Sequence, residues 1–236
     1  MWKRRIVKKN LESINFMKNN MNWNFDNSYS RLSDVFKEHI KPIAVKNPEL
    51  VLINKDVVEE LNLDFSKIDK NELAALFTGN ILPEGSNAIA QAYAGHQFGH
   101  FTMLGDGRAV LIGEHLTKNN ERYDIQFKGS GKTAFSRNGD GRAALGPMLR
   151  EYIISEAMHH LNIPSTRSLA VAKTGEEIMR ETPLQGAILT RVASSHIRVG
   201  TFQYVAARDK KDELEILLNY VICLLYTSDA ADERLS

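Results

Sequence analysis

Two glycine turns in this chain each deliver an arginine: Gly105-Asp106-Gly107-Arg108 and Gly139-Asp140-Gly141-Arg142. Lys128 ends an alternating run between them, and Glu151 follows in a helical stretch. These residue types suit a polyphosphate. Glycine lets backbone N–H groups approach phosphate oxygens, an arginine fork holds them in bidentate fashion, and a lysine adds a point charge. A flexible ammonium needs a carboxylate from a packed element to steer it, and Glu151 is the candidate for Lys128.

Other chemistries are weaker readings. Gly129-Ser130-Gly131-Lys132-Thr133 ends in Gly-Lys-Thr, but the residue five before Gly131 is Gln126, so the GxxxxGK[ST] phosphate loop fails. His96 and His100 stand four apart, without the Glu of an HExxH arrangement or a nearby third ligand, and are read as packing or hydrogen-bonding residues. His159 and His160 read as helix-end residues, and no spacing demands that His196 touch a phosphate. Ser136, Ser194 and Ser195 lack a nucleophile elbow.

The elements that position these residues follow from periodicity. Tyr123 to Lys128 alternates as a strand, which places Lys128 on the face of Asp124 and Gln126. Pro147 fits the first position of a helix, with Glu151 in its first turn and an apolar stripe of Leu149, Ile153, Ala157 and Leu161 running to the Asn162-Ile163-Pro164 stop. Phe98 to Met103 and Ala109 to Glu114 read as a hairpin turning at Gly105-Asp106-Gly107, since Asp-Gly tolerates positive φ. Arg167 to Glu181 reads as a strand, a Thr174-Gly175-Glu176 turn and a returning strand; Ala187 to Val192 is a further strand, and Arg198 enters a helix start. Upstream, Asn22 to Pro48 reads as irregular, Leu50 to Ile53 as a strand, Asp56 to Leu61 as a helix capped by Asn54, and Lys70 to Thr78 as a helix ended by Gly79. Several antiparallel strands with one helix inserted after the lysine strand make an α+β fold.

At 236 residues, with 43% hydrophobic and 25% charged residues, the chain has the composition of a folded globular protein. Thirty basic and twenty-nine acidic residues leave a formal charge of +1, so no global field points to nucleic acid or membrane as partner, and specificity must be local. The single Cys223 excludes an internal disulfide. No apolar run approaches the roughly 20 residues of a spanning helix. Residues 1–20 carry six Lys or Arg against one Glu and are read as a leader upstream of a start at Met21, with a transit peptide as the alternative. The expected location is cytoplasmic, or mitochondrial if the source is eukaryotic and the leader is a transit peptide.

AQAYAGHQFGHF, LGDGRA, RNGDGRA, REYIISEAMHHLNIPSTRSLAV and LTRVASSHIRVGTFQY together resemble the selenoprotein O family, over about Asn22 to Ile222. The resemblance implies a protein-kinase-like fold, of which this chain would be the N-lobe with an inserted αC-type helix. It also implies an enzyme that transfers AMP from ATP, or UMP from UTP, to Ser, Thr or Tyr hydroxyls of proteins, with Mg or Mn. By motif, Gly105, Gly107 and Arg108 resemble the family's glycine-loop nucleotide contacts, and Lys128 the phosphate-reaching lysine paired with Glu151. Asp140 and Gly141 resemble a further nucleotide-contact pair, and Arg191 and Arg198 the two arginines that enter the pocket. The family's catalytic Asp and its metal-binding Asn and Asp lie further along, so catalytic and metal residues are expected beyond residue 236. Residues 21–222 are then the N-terminal part of the domain. The tail of residues 223–236, CLLYTSDAADERLS, resembles a translated sequencing adapter and is read as non-native. A catalytically incomplete nucleotide-binding fragment is the alternative from a different class, and ordinary kinase phosphotransfer a third.

Overall fold

Alternation of apolar residues builds one eight-stranded sheet in which every described pairing is antiparallel. The computed structural model describes residues 21–97 and 99–232; the basic leader, Phe98 and residues 233–236 of the tail lie outside the described residues. The spatial order is β1 (Lys37–His39), β3 (Ile89–Gln91), β6 (Ala109–Leu116), β7 (Arg122–Lys128), β10 (Pro183–Ala193), β9 (Arg167–Met179) and β2 (Glu49–Ile53). The short β8 (Ala143–Ala144) also pairs with β10, while β4 (Ala94–Gln97) and β5 (His100–Met103) form a separate hairpin.

The period of two divides the sheet's faces. Ile188 and Val192 of β10, with Ile125 and Phe127 of β7, meet Val57 of α1 (Lys55–Glu60), Leu61 at its C-terminal cap, and Leu76 and Phe77 of α2 (Lys70–Phe77). Ala187 and Leu189 of β10 face the other way and pack with Met148 of α3 (Leu145–His160). A third cluster joins Tyr29, Phe36 and Leu111 to Tyr204 of α4 (Val199–Ala206) and Leu217 of α5 (Lys211–Asp232). Each such side chain contributes about 1.5–3 kcal/mol when fully buried, so these faces fix the sheet's register against its helices. The cap of α1 is Asn54, whose side chain accepts from the N–H groups of Asp56 and Val57, and Gly79 follows α2 at φ +77°.

A carboxylate links the chain's distant parts. Glu114 of β6 is 2% exposed and accepts from the Ser28 hydroxyl at 2.6 Å, the Tyr29 N–H at 2.7 Å and the Tyr220 hydroxyl of α5 at 3.3 Å. Burial pushes its carboxyl above the ordinary range despite those donors. Among the described residues no helix is long and apolar enough to cross a membrane.

Four local expectations are corrected. Ala109–Leu116 does not fold back on the preceding strand; that strand, His100–Met103, pairs with Ala94–Gln97, and β6 pairs with β3 and β7. Thr174-Gly175-Glu176 is no turn, because β9 runs through it to Met179 with Gly175 at φ +68°, and the chain reverses at residues 180–182. Within the stretch read as irregular, Lys37–His39 forms an edge strand on β3. Helix α3 begins at Leu145, which makes Pro147 its third residue and places Glu151 in the second turn.

The expected stripe of α3 is also displaced: Ile153 is 63% and Leu161 67% exposed, whereas Met148 and Ser155 are buried. A spacing of four residues advances about 400° around the helix, so a stripe at strict intervals of four drifts by about 40° per step and leaves the face that packs. Met148→Ala is therefore expected to lower unfolding free energy by about 2–4 kcal/mol, and Ile153→Ala by less than about 0.5 kcal/mol, in urea denaturation followed by circular dichroism. Equal losses at the two sites would reject this assignment of the buried face.

Candidate functional site

The face of β7 and β10 that receives α3 also carries the charges. Registers place Lys128 opposite Leu189 and Gln126 opposite Arg191, so Gln126, Lys128 and Arg191 share one face while Ile125, Phe127 and Val192 fill the core on the other. Glu151 descends from α3 between the two cations. Its Oε2 lies 2.5 Å from Lys128 Nζ and its Oε1 2.5 Å from Arg191 Nε. Lys128 is half-buried near the end of a central strand rather than on a sheet edge.

This pair extends into a fixed chain of polar groups. Arg191 Nη1 donates to Gln126 Oε1 at 3.2 Å, Gln126 Nε2 donates to Asp106 Oδ2 at 3.1 Å, and the Gln91 N–H donates to the same oxygen at 3.2 Å. Gln126 is fully buried and Asp106 is 3% exposed. Asp106 is thus no hairpin tip: its carboxylate faces inward, and burial pushes its pKa up against the nearby charge of Arg198. Burial also works against the Glu151 carboxylate, but Arg191 and Lys128 outweigh it and hold its pKa below the ordinary 4.5. Burial, then the charge of Arg191, pulls Lys128 below its ordinary 10.5, with Glu151 partly opposing.

Two loops wall the space above these residues. Gly105, at φ +145°, lies against Phe135, and a Cβ there would sit 2.2 Å from the ring. Gly107 is as confined, 2.6 Å from the Phe135 carbonyl oxygen for an added Cβ, and its own N–H donates to Gly105 O at 2.8 Å. Gly107 therefore offers close approach rather than a free donor. Gly141, at φ +69°, crosses residues 131–132 so closely that a Cβ would lie 2.1 Å from the Gly131 carbonyl. The Thr133 hydroxyl ties the two loops by donating to Asp106 O at 2.7 Å.

The result is a cleft of about 720 Å³ that brings Gly105, Gly107, Arg108, Lys128, Asp140, Gly141, Arg191 and Arg198 together. Glu151 stands behind it, holding two of the cations. Arg198, at the N-cap of α4, lays its guanidinium over the Tyr93 ring at 4.4 Å and donates to His196 O at 3.1 Å. Seven Lys or Arg side chains and two Asp side chains line the cleft, so its local charge is strongly positive although the whole chain is near neutral. Such a cleft concentrates polyanions.

Sequence reasoning missed Tyr93, Phe135, Arg137 and Arg180 as lining residues. An aromatic partner for an arginine and a loop plug carry no spacing signal, and Arg180 lies in an ordinary polar turn. His196 is buried against Asp124, with its N–H 2.7 Å from Oδ2, and His96 packs edge-on with Phe101. The described residues contain no group of three or more His, Cys, Asp or Glu placed to hold a metal ion. The cleft's own carboxylates are engaged as well: Asp106 with Gln91 and Gln126, Asp140 with Arg180 and the Arg142 N–H, and Glu151 with Lys128 and Arg191. Mg or Mn finds no ready ligand set among them.

Comparison with known proteins gives this cleft a family. Three curated proteins, each named protein nucleotidyltransferase YdiU, are similar to the chain. That of Pelagibacter ubique is 72% identical over 200 residues, covering 85% of this chain and 41% of the relative. That of Nitrosococcus oceani is 64% identical over 200 residues with the same two coverages, and that of Anoxybacillus flavithermus 62% over 203 residues, covering 86% and 42%. The chain thus spans about two-fifths of the length of these relatives. Residues 19–235 match the family model described as protein adenylyltransferase SelO, and by that match the chain belongs to the SelO family.

Proposed function

We propose that the parent protein moves AMP from ATP, or UMP from UTP, onto Ser, Thr or Tyr hydroxyls of target proteins. This chain would supply the lobe that holds the triphosphate, in the manner of a kinase-like N-lobe. The observation that carries the reading is the Glu151 carboxylate shared by Lys128 and Arg191 at 2.5 Å each, beneath a glycine-walled cleft lined by seven cationic side chains.

In the reaction, the target hydroxyl oxygen bonds to the α-phosphorus. The bond from that phosphorus to the oxygen bridging the β-phosphate breaks, and pyrophosphate leaves with the electron pair. This chain's part is electrostatic: Lys128, Arg108, Arg191 and Arg198 neutralise the triphosphate and align it, a contribution that dominates transfers of this kind. Asp106, Asp140 and Glu151 are engaged in ion pairs or hydrogen bonds, so the hydroxyl proton goes to a base outside these residues. That engagement, with coverage of two-fifths of the relatives, favours a second reading for the isolated chain: it binds nucleotide without transferring it.

Three outcomes follow. Isothermal titration with ATP should give binding that Lys128→Met or Glu151→Gln weakens about tenfold or more, the worth of one charge-assisted hydrogen bond. Binding should also take up protons on the alkaline side, below the ordinary lysine value of 10.5, where the depressed Lys128 amine of the free protein has begun to lose its proton and a triphosphate restores it. Titrations in buffers of different ionisation enthalpy measure this uptake, and proton release there would contradict the proposed contact. Finally, a version extended to the length of the relatives should transfer label from α-labelled ATP to protein, and not from γ-labelled ATP, while the 236-residue chain transfers neither. Transfer of the γ-label would indicate a kinase instead.

A further inference from the structure

We infer that Asp124 is a positioning residue for Arg198: from the strand that carries Lys128, it clamps His196 and so fixes the segment that brings Arg198 into the cleft. The inference rests on the reading of the cleft as a triphosphate site.

Arg198 reaches the cleft on residues 194–198, which leave the sheet where β10 ends at Ala193, opposite Asp124 of β7. Among the described residues, no backbone hydrogen bond ties residues 194–197 to the sheet beyond that point. The Asp124 carboxylate ties them instead. Its Oδ2 takes the His196 N–H at 2.7 Å and lies 3.3 Å from the ring Nδ1, and both residues are buried. The Ile197 N–H meets the Ser195 hydroxyl at 3.1 Å, a bond internal to the segment, and the Ile197 side chain packs on the cluster of Tyr204 and Leu217. Apolar packing of that kind is non-directional.

The grip on His196 is passed to Arg198. The His196 carbonyl accepts from Arg198 Nη1 at 3.1 Å, while the guanidinium lies over the Tyr93 ring at 4.4 Å. The Arg198 N–H donates to the Thr201 hydroxyl at 3.2 Å, which seats its backbone at the start of α4. Asp124 thus sets where the His196 carbonyl stands, and that carbonyl sets where the fork points. Alternate residues on one face of β7 then govern three cations: Lys128 directly, Arg191 through Gln126, and Arg198 through Asp124. Packing alone would favour an apolar side chain at position 124, because the register puts Glu114 of β6 directly opposite and like charges so placed repel.

A double-mutant cycle separates positioning from a general effect on the fold. In titrations with ATP, Asp124→Val, which accepts no hydrogen bond, should weaken binding about tenfold, and Asp124→Asn, which keeps an acceptor oxygen, about threefold. A loss routed through Arg198 is not additive with the loss of Arg198 itself. Added to Arg198→Ala, Asp124→Val should therefore change affinity less than about twofold, whereas added to Lys128→Met it should keep its full effect. Amide hydrogen exchange of residues 194–198, read by mass spectrometry, should quicken in both Asp124 variants.

If Asp124→Val weakens binding by the same factor with and without Arg198, it acts on the fold at large and the inference falls. It falls too if Asp124→Asn binds as poorly as Asp124→Val, or if exchange of residues 194–198 is unchanged. Where Asp124→Val does not fold, the same cycle on Asp124→Asn decides, its smaller loss vanishing beside Arg198→Ala. Should the wild-type chain bind no ATP, the reading of the cleft fails separately, and the exchange of residues 194–198 still decides whether Asp124 holds the segment.

Discussion

One carboxylate shared between two cations sets the terms for the rest of this structure. Lys128 and Arg191 sit on adjacent strands and would repel each other in their half-buried setting without Glu151 between them. Its placement is a packing matter before it is an electrostatic one. Met148 must seat α3 on Leu189 and Ala187, and the register of β7 against β10 must bring Gln126 opposite Arg191. A slip of one residue in that pairing would turn all the charged side chains of one strand into the apolar core.

The excess charge that results is local. Two cations on one carboxylate leave a net positive charge, and Arg108 and Arg198 add to it from separate elements. Rigidity comes from behind: Gln126 spends its amide on Arg191 and on Asp106, itself fixed by the Gln91 backbone. A fully satisfied buried network of this kind specifies one arrangement of its members. The cations are held ready instead of being gathered when a ligand arrives, which lowers the ordering cost of binding.

How much of this could be read from the residues depended on how local each cause is. The strand of Lys128, the cap at Asn54 and the entry of Arg198 into a helix arise from neighbours in sequence, and the structure has them there. Gly105-Asp106-Gly107 carries the local signature of a hairpin, but the Asp106 carboxylate finds Gln91 and Gln126, partners that no short-range rule supplies. Thr174-Gly175-Glu176 likewise has turn chemistry, yet β10 stays paired beyond it, with a register shift between Gln185 and Ala187 taking up the irregularity. The stripe of α3 was misplaced because several apolar residues lie exposed on that helix, and spacing alone cannot tell which face meets the sheet. The cleft's glycines and arginines were legible as a set through motif resemblance; Tyr93, Phe135 and Arg180 were not, since their roles depend on what lies across the cleft.

The Glu114 anchor bears on how the chain comes together as it leaves the ribosome. Its hydroxyl donors, Ser28 and Tyr220, are themselves 2.7 Å apart while separated by 192 positions in sequence. Vectorial synthesis delivers Ser28, Tyr29 and Glu114 long before Tyr220. Until α5 has emerged, the sheet near the amino-terminal segment holds Glu114 by Ser28, Tyr29 and Arg122 alone, and that edge closes only when Tyr220 arrives. Closure of that edge is then a late, long-range event whose rate is governed by loop-closure entropy, not by the propensities of the strands it completes.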